Sequence, residues 1–234
     1  VGGGGLPVSD FSDLTFASSG VVYTLTGFGG AEDSTLVPDP TGGSNTAARV
    51  VKSATAELFA GTTVSTGANL TVGKIPFTAT STKMTVRVYS PKVGIPVRLK
   101  VEDAADPTRS VETEALTTKA SAWETLTFDF SKPVAGTPAL NLSYNYNRLI
   151  IFFNFGKTGA TAGAQTYYFD DVLFVAGSSG PSGNTGTCSA PCIDFASPEV
   201  KYEPFEGLVS AAQSDDPVDA TNKDTDISYL NSET

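Results

Sequence analysis

Apolar and polar residues alternate with period two over short runs separated by turn residues. The runs are 21–26, 46–51, 57–63, 83–89, 95–102, 110–116, 123–130, 147–155 and 166–175, and they predict an all-β sandwich. Within 83–89, Met84, Val86 and Val88 share one face, and Val97, Leu99 and Val101 alternate in the same way against Arg98, Lys100 and Glu102. Each such strand has one face in the core and one in water. Trp123 falls on the phase opposite to Leu126, Phe128 and Phe130, while Phe59 in the run 57–63 reads as a core residue.

Residues 104–108 (Ala-Ala-Asp-Pro-Thr) form a turn, after which Val111-Glu-Thr-Glu-Ala115 resumes the alternation. A register symmetric about that turn sets Lys100 opposite Glu112 and Arg98 opposite Glu114. The same glutamates argue against reading Arg98 and Lys100 as a basic strip for an acidic polysaccharide.

Four segments follow from composition. A Gly-rich arm spans 1–9 and the sandwich 10–176; a Gly/Ser/Pro linker with two cysteines spans 177–192 and an acidic tail 193–234. In the tail, Phe195-Ala-Ser-Pro-Glu-Val-Lys-Tyr202 echoes Phe16-Ala-Ser-Ser-Gly-Val-Val-Tyr23, and Asp216-Pro-Val-Asp-Ala-Thr-Asn222 echoes Asp39-Pro-Thr-Gly-Gly-Ser-Asn45. The tail thus reads as the start of a second, incomplete repeat, too short to build the same core unaided.

Charge narrows the function. The formal net charge is −10, and residues 193–234, with 10 acidic and 2 basic side chains, carry −8 of it. Such a surface does not suit nucleic acid, which needs lysine and arginine for counterion release. The absence of histidine removes the commonest general base and every Ser-His or Cys-His arrangement, and with them most hydrolase chemistries. Cys188 and Cys192 are too few for a zinc site and read as a small disulfide loop formed in an oxidising compartment. No run reaches the length of a membrane span, and no signal-peptide pattern stands at Val1, which predicts a chain already processed.

Two features carry candidate chemistry. In Tyr167-Tyr-Phe-Asp-Asp-Val-Leu-Phe174, Asp170 and Asp171 interrupt an otherwise buried strand, and either calcium or hydrogen-bond donors and an arginine must satisfy them. Asp39 joins them as a candidate ligand because it recurs in the echo, although an Asx turn explains it equally well. Adjacent strand carboxylates point to opposite faces, which makes Asp170 and Asp171 poor partners for glycoside hydrolysis. Sugars are held by rings stacked on their apolar faces and flanked by amides. Trp123, Tyr144 and Tyr146 with Asn145 are candidates for that role, against the alternative that these rings cover the core.

Tyr23–Gly30, Val51–Thr63, Val97–Asp103, Trp123–Phe130 and Tyr167–Val172 together resemble the jelly-roll, carbohydrate-binding-module-like repeats of secreted bacterial polysaccharide-degrading and surface proteins. The resemblance covers about residues 6–176. It implies a jelly-roll β-sandwich and a structural calcium near the last strand, by position at Asp170 or Asp171. Its sugar sites vary between a sheet face and the loop rim. The function expected is a non-catalytic module that binds polysaccharide outside the cell. The alternative is an adhesive or structural protein that polymerises head to tail, adding a strand through its arm or through Val200 and Tyr202 of its tail.

Overall fold

The structure is a computed structural model that describes residues 10–176. Ten strands occur in the order β1 (Thr24–Phe28), β2 (Ser34–Pro38), β3 (Thr46–Lys52), β4 (Gly61–Ser65), β5 (Lys83–Ser90), β6 (Pro96–Asp103), β7 (Asp106–Leu116), β8 (Ala122–Asp129), β9 (Arg148–Phe153) and β10 (Gln165–Val175). They form two antiparallel five-stranded sheets, ordered β1-β4-β9-β6-β7 and β2-β3-β10-β5-β8. This is the expected sandwich. No helix among the described residues is long and apolar enough to cross a membrane.

The period-two pattern decides which face of each strand is buried. Met84, Val86 and Val88 of β5, Val97, Leu99 and Val101 of β6, and Phe128 of β8 are wholly enclosed between the sheets. Phe153 of β9 stacks on Tyr167 of β10 at 4.7 Å with planes 6° apart, joining the two central strands through the core.

The β6–β7 register is the predicted one, with Arg98 opposite Glu114 and Lys100 opposite Glu112. The ion pairs divide differently, because the arginine fork reaches both glutamates, at 3.0 Å each, while Lys100 turns along its own strand to Glu102 at 3.0 Å.

Two sequence expectations need correction. β2 lies outside the nine predicted runs because Ser34-Thr-Leu-Val-Pro38 is short and ends in proline; as an edge strand it tolerates that missing donor. Phe59 is 47% exposed rather than a core residue, since β4 begins only at Gly61 and the preceding residues form a turn.

Near its start the described chain is laced to the last strand, with Leu14 and Val172 exchanging backbone hydrogen bonds at 3.0 Å. The β10–β5 register shifts between Asp170 and Leu173, and Asp171 in that bulge has φ of 46°. Cys188, Cys192, Val200 and Tyr202 lie outside the described residues.

Candidate functional site

The outward face of the β2-β3-β10-β5-β8 sheet carries the densest set of candidate groups. β8 pairs with β5 so that Trp123 stands opposite Tyr89, and β10 pairs with β5 so that Tyr168 stands opposite Tyr89 from the other side. Arg49 of β3 continues the row beside Tyr168. Each ring is half-buried and lies on the phase opposite to its strand's core residues. Tyr89 meets Trp123 and Tyr168 edge to face, with both centroid distances 5.7 Å and planes 68° and 85° apart.

Two residues along the same strands, Asp170 pairs with Arg87. The loop between β2 and β3 folds toward them and brings Asp39 and Asn45. Arg87 lies 3.6 Å from a carboxylate oxygen of Asp39 and 3.6 Å from one of Asp170, ion pairs too long to count as hydrogen bonds. Its guanidinium carbon sits 4.2 Å from the centre of the Trp123 ring. The indole Nε1–H donates to Asp39 Oδ1 at 3.1 Å, and the Asn45 amide donates to Asp170 Oδ2 at 2.7 Å. The loop holds its own shape through the Thr41 N–H and hydroxyl, which donate to Asp39 Oδ1 at 2.8 and 2.6 Å. Asp39 N–H donates to the Asn45 carbonyl at 2.9 Å.

The two carboxylates differ in electrostatics. Burial pushes the Asp39 carboxyl up, but the donors Thr41 and Trp123 and the charge of Arg87 outweigh it and hold the group below the usual range. Asp170 is fully enclosed, and burial, aided by the neighbouring charge of Asp171, pushes it up to about 6. The Asp171 N–H, Asn45 and Arg87 offset only part of that cost.

This donor set does not fit the calcium site that the resemblance implies. Asp39 and Asp170 do come together, but around a guanidinium that a divalent cation would have to displace. Asp171 stands in the bulge, and among the described residues no three Asp, Glu, Cys or His side chains gather as a metal-holding group.

The Tyr144–Tyr146 segment divides, with only Tyr146 withdrawn into the core. Tyr146 is 2% exposed, its ring packs on Phe77, and its hydroxyl accepts the Asn141 N–H at 3.0 Å. It is a core ring, out of reach of a ligand. Tyr144 is half-buried against Tyr146, with the Arg109 guanidinium carbon 5.3 Å from its ring centre. Asn145 Oδ1 is buried without a hydrogen-bond partner. These three precede β9, which belongs to the other sheet.

Tyr89, Tyr168, Arg87 and Arg49 were absent from the sequence-derived candidates. Their signal is phase: each is a large residue on the outward step of a strand whose other step is apolar.

No family model and no curated protein matches the chain. Among solved structures, it is similar to a family 11 carbohydrate-binding module from Clostridium thermocellum in complex with a β-1,3-1,4-mixed-linked tetrasaccharide, at 14% identity over 72% of this chain and 98% of that chain, TM-score 0.45. It is also similar to a family 29 module complexed with mannohexaose, at 11% identity over 70% of this chain and 89% of that chain, TM-score 0.43. A family 29 module from Piromyces equi follows, at 13% identity over 71% of this chain and 86% of that chain, TM-score 0.39. The strand pairing, not these likenesses, establishes the sandwich.

Proposed function

We propose that residues 10–176 form a non-catalytic carbohydrate-binding module of an extracellular protein, holding one glycan chain across the Trp123–Tyr89–Tyr168 row. The observation that carries this reading is the row itself: three half-buried rings on three neighbouring strands, facing away from the core. Aromatic faces of this kind offer apolar area at little entropic cost, and the neighbouring hydroxyls of Thr35 and Thr125 with the guanidinium of Arg49 supply polar partners. The steep angles between the rings suit a single chain that turns successive sugar faces, rather than a flat crystalline surface.

Trp123 contributes its face and not its N–H, because Asp39 already takes that donor. The support beneath it is satisfied within the protein, so the ring is aimed before a ligand arrives and little ordering cost remains. Asp39 and Asp170 serve that support in this reading, and neither acts as an acid or base.

Trp123 is the sole tryptophan, so its fluorescence reports this face directly. The test is a titration of the full chain with soluble oligosaccharides drawn from a glycan array. Trp123→Ala and Tyr168→Ala should each weaken binding about tenfold or more, a loss of about 1.4 kcal/mol, with Tyr144→Ala unchanged. Absence of binding across the array, or binding that survives both ring substitutions, would overturn the reading.

A further inference from the structure

The sandwich is sealed along one side and open along the other. At the β7/β8 side the inward Val111 and Phe128 are fully buried, and the strands carry Arg109, Glu112, Glu114, Glu124 and Asp129. At the opposite side the edge strands are β1 and β2, whose inward Leu25 and Leu36 stay partly exposed. A groove of about 330 Å³ runs between them, lined by Tyr23, Leu25, Leu36 and the hydroxyl residues Thr24, Ser34 and Thr35.

Neither edge strand contains a charged residue. β2 is blunted by Pro38, which has no N–H to offer. β1 has no such guard. Val21 and Val22 lead into it, Val22 at 78% exposure, so that Val21-Val-Tyr-Thr-Leu-Thr26 is a six-residue run of strand-favouring residues with no charge, proline or glycine. Among the described residues its only strand partner is β4. Proteins usually protect an exposed edge with charge, proline or a bulge, and an edge left without them is a template for another strand.

We propose that β1 pairs antiparallel with β1 of a second copy of the chain, about a twofold axis. The run itself carries no charge, so the paired strands set no like charges opposite one another, and self-pairing sets the outward Val22, Thr24 and Thr26 of one copy against the same set of the other, neighbours that suit a sheet. Such a dimer continues the β1-β4-β9-β6-β7 sheet and leaves the Trp123 row, on the other sheet, free. It does not rest on the glycan reading.

The test is the mass of the full chain by light scattering across a concentration series, which should show a monomer–dimer equilibrium. Val22→Lys and Thr24→Lys, made separately, should each raise the dissociation constant about tenfold or more, because the twofold axis then brings two lysines, one from each copy, close together on the same face. The echo in the tail carries Lys201 where this segment has Val22, so a lysine suits the local sequence pattern. A far-ultraviolet circular dichroism spectrum matching the parent's confirms that the fold of either variant survives. In the full chain, Val200→Glu with Tyr202→Ser should leave the dimer intact. A monomer at every concentration, lysine variants that dimerise as well as the parent, or dissociation by the tail substitutions would each overturn the proposal, the last by assigning assembly to the tail.

Discussion

The Trp123 indole donates to Asp39 across 84 residues of sequence, so an outward ring of β8 is aimed by a loop between two other strands. Arg87 completes the arrangement, lying against the ring and between Asp39 and Asp170. The ring is a feature of β8, but its orientation belongs to the β2–β3 loop.

Asp39→Ala should therefore act at a distance. It removes the acceptor for Trp123 and Thr41 and one partner of Arg87, and should cost about 1 to 3 kcal/mol of stability. Trp123 emission should move to longer wavelength as the freed indole meets water. Denaturant melts together with emission spectra check both effects, and an unmoved spectrum would show that the indole is held by packing alone.

Asp170 gives a pH-dependent term of definite sign. Its carboxyl is raised in the folded chain, so its contribution to stability is full below the ordinary carboxylate value of 3.8 and is lost as pH rises through about 6. Asp170→Asn cannot ionise and should gain on the parent by about 1 to 3 kcal/mol between pH 4 and pH 6.5. Melts of both proteins across that window measure the difference, and a constant gap would sink the assignment.

Lys52 works in the opposite range. It is 2% exposed and donates to the carbonyls of Asn154 at 2.9 Å and Phe153 at 3.4 Å, and burial lowers it to about 8. Between pH 8 and the ordinary lysine value of 10.5 the unfolded chain holds the extra proton, so this group makes the fold more stable as pH rises. Lys52→Met should lose that rise, which parallel melts at pH 7.5 and 10 will show.

Gly27 tests the link between the sheets. A Cβ there would collide with the backbone oxygen of Ala31, in the turn that carries the chain from β1 to β2. Gly27→Ala should cost about 3 kcal/mol or more, because backbone rather than a flexible side chain must move. A melting temperature within a degree or two of the parent would contradict this packing.

Sequence alone determined what depends on period and proximity along the chain. Alternation of Met84, Val86 and Val88 set the core face of β5, and opposite charges placed symmetrically about residues 104–108 set Arg98 against Glu114, although the tighter turn and the irregularity between Glu102 and Asp103 that deliver this register were not legible. The outward phase of Trp123 was legible from alternation too. What counting cannot supply is which distant strands lie side by side. Tyr89 and Tyr168 gained meaning only when β5 settled between β8 and β10, and Asp39 met Asp170 only when the β2–β3 loop closed over Arg87. Tyr146 sits in the same kind of polar, turn-like sequence that suggests an exposed ring, yet the hydrophobic effect draws it onto Phe77 once the core is assembled. The site is a matter of long-range strand pairing, and that is decided by the whole core at once.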